Sequence, residues 1–128
     1  KLHLVKPLGF DISEKAVKRA GLDYWPYVDL EIHESLDDFM EKYKDKRKFL
    51  ATTKGGHIYT DFEYMDDDMF LFGRETKGLP RDFIAKNEEM AIRIPMSENT
   101  RLRSFNLSNS ANIILFEALR QLGFPELK

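Results

Sequence analysis

Three segments gather the residue types that could hold or act on a small ligand. They are Thr52-Thr53-Lys54-Gly55, then Gly73-Arg74-Glu75-Thr76-Lys77-Gly78-Leu79-Pro80, and the stretch 95–109, which contains Arg101-Leu102-Arg103-Ser104-Phe105-Asn106-Leu107-Ser108-Asn109. Each follows an apolar run that reads as a strand, and open parallel sheets bind ligands at the carboxyl ends of their strands. The middle segment opens like a phosphate-binding loop, with four residues between Gly73 and Gly78. Leu79-Pro80 stand where such a loop needs Lys followed by Ser or Thr, so no side chain serves the outer phosphates and triphosphate hydrolysis is disfavoured. What the two glycines do offer is close approach of the main chain to a flat ligand. Backbone N–H and C=O groups in an apolar slot can hold an adenine or a methionine moiety with few side chains. Glycines that only permit turns would account for the same residues. Glu75 between them is by itself an ordinary solvated carboxylate.

The third segment joins two arginines to a set of small polar side chains at the start of an apolar helix. Asn106, Ser108 and Asn109 all suit a helix cap, but a cap needs only one of them. The surplus can face a ligand or a ribose hydroxyl, and arginines beside a helix N-terminus make a seat for an RNA phosphate. Residues 42–48 hold five basic side chains. Such a run is an ordinary solvated helix end that also complements the helix dipole, with RNA contact as the alternative. His3, His33 and His57 lack metal-ligand spacing, so no metal is expected. The aromatic group Tyr24-Trp25-Pro26-Tyr27 suits packing against a core or a partner subunit better than stacking on bases.

The elements that must position these segments alternate. Residues 2–5, 28–32, 49–53, 69–72 and 91–96 read as strands. Residues 14–20 read as a short helix that Ser13 can cap and Gly21 would end. A second helix, opened by Ser35, puts Leu36, Phe39, Met40 and Tyr43 on one face. Pro80 opens a helix to about Lys86, and Leu107, Ala111, Ile114, Leu115, Ala118, Leu119 and Leu122 repeat at helical spacing up to Gly123. Alternation of this kind implies an α/β fold, a mostly parallel sheet with helices on both faces. The wholly apolar Met69-Phe70-Leu71-Phe72 suits a strand buried on both sides. At 128 residues the chain reads as one domain. With 42% hydrophobic and 33% charged residues it is neither disordered nor collagen-like. It has no apolar run long enough to span a membrane, and no signal peptide is expected. A net charge of −2 excludes a nonspecific coat on nucleic acid but leaves room for a local basic face. The absence of cysteine removes disulfides and thiolate chemistry and fits a cytoplasmic setting.

Together the segments resemble one family. Leu71-Phe72-Gly73-Arg74-Glu75-Thr76-Lys77-Gly78-Leu79-Pro80, Ile94-Pro95-Met96 and Arg103-Ser104-Phe105-Asn106-Leu107-Ser108-Asn109 look like the second and third signature motifs of SPOUT RNA methyltransferases. Lys6-Pro7-Leu8-Gly9-Phe10, Arg19-Ala20-Gly21-Leu22-Asp23-Tyr24 and Glu117-Ala118-Leu119-Arg120-Gln121-Leu122-Gly123 are similar to the small subgroup that methylates the tRNA wobble nucleotide, position 34, a cytidine or modified uridine. The resemblance implies a C-terminal trefoil knot, an exception to the unknotted-chain rule. It implies S-adenosyl-L-methionine bound bent in that knot, S-adenosyl-L-homocysteine as product, and an active site completed across a homodimer. Gly73, Ile94 and Ser104 match cofactor-contact positions, and Ala51 matches another where the family often has leucine. The resemblance also implies that Gly78, Met96 and Leu107 finish the slot. Glu75 and Asn106 match positions linked to the reaction centre, and Arg103 is matched to a substrate phosphate or to assistance at the 2′-hydroxyl. Family members begin with a further strand and helix, expected here upstream of Lys1, and Thr100-Arg101-Leu102-Arg103 is slightly longer than usual.

The implied chemistry is in-line displacement at a sulfonium methyl by a ribose hydroxyl, with no metal required. Its partners would be a tRNA anticodon stem-loop and a second copy of the chain, with neither membrane nor DNA involved. A catalytically idle, knotted RNA-binding or assembly module that keeps cofactor binding is the alternative from another class. A generic nucleotide-binding α/β domain would instead bind ATP, against which Leu79-Pro80 argue.

Overall fold

Short apolar runs make the strands, and the number of faces each one buries decides its place. The computed structural model describes residues 1–7, 28–74, 77–97 and 106–128. They fall into two units, 1–45 and 46–128.

In the first unit, β1 (Leu2–Val5) pairs in parallel with β2 (Leu30–His33), with His3 opposite Glu31 and Val5 opposite His33. The polar residues of β2 are the sheltered ones: His33 is buried, while Ile32 between it and Glu31 is exposed. Helix α1 (Leu36–Lys42) starts where expected, because the Ser35 hydroxyl accepts from the Asp38 N–H at 3.0 Å. Asp37 and Asp38 in its first turn and Lys42 in its last complement the dipole, and Phe39 is its buried anchor.

The second unit is built on β3 (Lys48–Ala51), whose Phe49 and Leu50 are fully enclosed. Beside it run β5 (Met69–Phe72) and β6 (Ala91–Arg93), with β4 (His57–Ile58) at the edge, in the order β4-β6-β3-β5 and all parallel. The apolar run of β3 is enclosed on both faces, whereas in β5 only Leu71 is buried and Met69, Phe70 and Phe72 are half-buried, short of the full burial that its apolar run suggests. Helix α2 (Arg81–Lys86) follows Pro80, and a 3₁₀ turn, Glu88–Met90, leads into β6. Helix α3 (Leu107–Gln121) lays Ile114 and Ala118 against Phe49, Tyr64 and Ile92 to form the core. Gln121 fixes its far end, accepting from the Tyr64 N–H at 2.7 Å and donating to the Phe62 carbonyl at 3.1 Å.

Mostly parallel sheets with helices are therefore what the alternating pattern foretold. The last strand is shorter than its apolar run, ending at Arg93, two residues before Pro95, which has no N–H to pair. Strand β4 was not foreseen, since two residues leave no periodicity to read. The α3 stripe is wider than the surface that covers it: Leu115, Phe116 and Leu122 remain exposed. The helix expected at 14–20 and the aromatic group 24–27 lie outside the described residues. Among the described residues no helix is long and apolar enough to cross a membrane.

Candidate active site

Parallel register sets the site. Ala51 pairs with Phe72 on one side and with Ile92 on the other, so three strands finish at the same level. The chain leaves that edge at Thr52, Gly73 and Ile94. After β3, the Thr52 N–H donates to the Ile92 carbonyl at 2.9 Å and the Lys54 N–H to the Thr52 hydroxyl at 3.3 Å, which folds the loop back on β6.

After β5, glycine is required twice. A Cβ at Gly73 would stand 2.0 Å from the Gly78 carbonyl carbon, so main chain touches main chain there. Gly78 has φ +66°, a region that side chains disfavour, and its N–H donates to the Arg74 carbonyl at 2.7 Å. The two ends of the loop are thereby pinned together.

At the start of α3, Asn106 is the cap. Its Oδ1 accepts from the Asn109 N–H at 2.8 Å, and its carbonyl accepts from the Ser110 N–H at 3.0 Å. The cap occupies Oδ1 and leaves Nδ2 as the donor able to serve a ligand.

These ends enclose one cleft of about 620 Å³, within the range of small-molecule and cofactor sites. Of the residues singled out from the sequence, Ala51, Gly73, Gly78, Ile94, Met96, Asn106 and Leu107 all line it. Glu75, Arg103 and Ser104 lie outside the described residues. Further lining comes from Phe72, Leu79, Ile84, Ile92 and Ile114, an apolar wall, and from Thr52, Thr53 and Ser110. Lys54, Arg74, Lys77, Arg81 and Arg93 also reach it, and no carboxylate does among the described residues. A slot with apolar walls, bare backbone at two glycines and a cationic rim suits a flat, partly apolar molecule placed beside a polyanion.

Sequence reasoning did not assign Arg81, Ile84, Ser110 or Ile114. Leu107, Ser110 and Ile114 share one face of α3 by their three- and four-residue steps; Ile114 was read only as part of the apolar stripe, and Ser110 was not singled out. Arg81 and Ile84 share a face of α2 in the same way.

Comparison with known proteins gives the site its context. The model of the SpoU rRNA methylase family matches residues 1–116. A Bacillus subtilis (strain 168) relative is 48% identical over 130 residues, covering 99% of this chain and 80% of its own. Its name proposes a tRNA (cytidine(34)-2′-O)-methyltransferase. A solved structure described as giving insight into 2-OH methylation of C/U34 on tRNA superposes with a TM-score of 0.84 at 38% identity, covering 94% of this chain and 78% of that one. An AdoMet-bound rRNA methyltransferase from Sinorhizobium meliloti superposes with a TM-score of 0.76 at 25% identity, covering 94% of this chain and 45% of that one. Since the family match runs through both units and takes in every strand end that builds the cleft, the chain belongs to the SpoU rRNA methylase family.

Proposed function

We propose that the chain transfers the methyl group of S-adenosylmethionine to the ribose 2′-oxygen of the tRNA wobble nucleotide, position 34, leaving S-adenosylhomocysteine. The observation that carries this reading is the convergence of Ala51, Gly73, Gly78, Ile94, Met96, Asn106 and Leu107 on one cleft. Relatives named for methylation of position 34 support the choice of nucleotide, and the AdoMet-bound neighbour supports the cofactor.

The residues present fit the cofactor. The Gly73–Gly78 contact leaves no room for a Cβ, so main-chain groups stand at the wall without side chains in front of them. Ala51, Ile94 and Met96 add apolar surface for adenine and for the methionine chain. Once bound, S-adenosylmethionine supplies a methyl carbon on a positively charged sulfur, an activated electrophile that requires no metal. The protein's task is to aim a weak nucleophile and ease removal of its proton. The Asn106 Nδ2 would orient the attacking ribose, and Glu75 and Arg103 are proposed to complete the reaction centre and to hold a substrate phosphate. Ser104 would complete the cofactor slot. Phe72, Ile92 and Ile94 exclude water from the transfer. Lys54, Lys77, Arg81 and Arg93 form a rim that complements the phosphates on either side of the target nucleotide.

The acceptor proposed is a 2′-hydroxyl, which calls for RNA and not DNA, and a tRNA substrate supports a cytoplasmic setting. The trefoil knot and the homodimer belong to the same proposal. The apolar Leu115, Phe116 and Leu122 exposed on and beside α3 are the surface a second copy would cover.

The test is methyl transfer to anticodon stem-loops, one with ribose and one with 2′-deoxyribose at position 34. Transfer to the first and none to the second is expected. Cofactor binding without transfer to any stem-loop would overturn the activity in favour of an idle RNA-binding module.

A further inference from the structure

Residues 1–45 hold a second group of ligating atoms that the methyl transfer does not use. Glu31 and His33, two apart on β2, share a face of the strand, and the parallel register sets His3 of β1 beside them. His33 Nε2 lies 3.0 Å from His3 Nδ1 and 3.0 Å from Glu31 Oε2, and His3 Nδ1 lies 3.8 Å from the same oxygen. Two imidazole nitrogens and a carboxylate oxygen, all able to act as ligand atoms, meet at this point. One proton can lie between any two of them, or be shared in a bent bond, but it cannot serve all three well.

We propose that His3, Glu31 and His33 form a binding site for a divalent transition metal, best matched by Zn²⁺. Two histidines and one glutamate make up a known three-ligand zinc set, with water taking the fourth position. Zinc–ligand bonds of about 2.0–2.2 Å in a tetrahedron set the ligand atoms roughly 3.3–3.5 Å apart. The triangle seen here, 3.0, 3.0 and 3.8 Å, reaches that geometry through shifts of a few tenths of an ångström and a pivot of the rings.

The surroundings supply the outer shell that such sites need. The Tyr43 hydroxyl donates to the Glu31 carboxylate at 2.9 Å and orients it. Phe39 packs edge-on to His33 at 5.0 Å and Tyr43 edge-on to His3 at 5.0 Å, which limits ring rotation. The competing cations are Lys42, 3.1 Å from Glu31 Oε2, and Lys1, 3.4 Å from Oε1. Their side chains are 58% and 42% exposed, so water can take over either ammonium when a metal enters. Linear spacing concealed the group because His3 and His33 are thirty positions apart and meet only through strand pairing.

The test uses the full chain without a histidine tag, stripped with a chelator and titrated with Zn²⁺ by calorimetry. One saturable equivalent per chain is expected. His3→Gln and Glu31→Gln should each weaken it by about ten-fold or more, Tyr43→Phe by roughly ten-fold, and His57→Gln should leave it unchanged. Absence of a saturable equivalent, or equal affinity in the His3→Gln and Glu31→Gln variants, would overturn the site. If those variants lose their circular-dichroism signature of folding, Co²⁺ bound to the unaltered chain decides. The intense visible band of a four-coordinate ion supports the site, and the weak spectrum of a six-coordinate ion overturns it.

Discussion

At the scale of single residues, Gly73 carries the tightest constraint in the cleft. A methyl group there meets the Gly78 carbonyl carbon and the Leu79 nitrogen, both backbone atoms with no rotamer to yield. Gly73→Ala must therefore displace the loop, and its cofactor affinity, read by calorimetry, should fall by at least about ten-fold, which is 1.4 kcal/mol. Asn106 has two roles that substitution can separate. Asn106→Ala removes the cap on α3 and should cost about 1 kcal/mol in thermal or urea unfolding. Asn106→Asp keeps an oxygen for the Asn109 N–H but has no Nδ2. If that donor orients the ribose, turnover drops in both variants while stability drops only in the first. Unaltered turnover in Asn106→Asp would show that Asn106 acts only as a cap. The glycines and the asparagine were legible in the sequence because backbone geometry dictates their identity. Arg81 and Ser110 were not, since a polar residue on a helix takes its meaning from what the helix faces.

At the scale of elements, the strand ends matter more than the strands. The pairing of Ala51 with both Phe72 and Ile92 levels three loops into one rim, and no local pattern encodes that register. The sequence did mark each loop as unusual and the strands as buried, because apolar runs bounded by Gly, Pro and Thr are a local signal. The two-residue β4 and the early stop of β6 were hidden, as partner geometry and Pro95 set them. The seam between α3 and the sheet has a measurable signature in Tyr64. Burial, with the nearby Glu117 carboxylate, pushes its phenol from the ordinary 10.0 up to about 12, and its hydroxyl donates to the Tyr59 carbonyl. A raised folded-state value means that this group's stabilisation is complete below pH 10. It is then lost as pH rises toward about 12, because the unfolded chain releases the proton first. Urea unfolding between pH 9 and 12 should show that decline, and Tyr64→Phe should flatten it while starting from a lower stability at neutral pH.

At the scale of the whole molecule, charge and apolar surface are unevenly placed. The chain carries a net charge of −2, yet the described residues at the cleft contribute five cations and no carboxylate. Bulk composition could exclude a nonspecific nucleic-acid coat but could not reveal this local asymmetry, which exists only once strand ends and helix starts are brought together. The apolar pattern of α3 was similarly legible as a helix but not as a surface. Phe116 is 54% exposed and Leu115 47% exposed, whereas Ile114 between the sheet and the helix is enclosed. If the proposed homodimer forms through this face, Phe116→Glu should leave the fold intact and yield monomers in sedimentation velocity. An unchanged sedimentation coefficient would contradict the proposal that this face joins two copies.

The most direct measurement is an amide NMR titration of the full chain with S-adenosylhomocysteine. Convergence of the strand ends on one methyl-donor pocket predicts that Thr52, Gly78, Ile94 and Leu107 shift together and saturate with a single dissociation constant. Shifts confined to one of these segments, or no saturable shift at any of them, would contradict it.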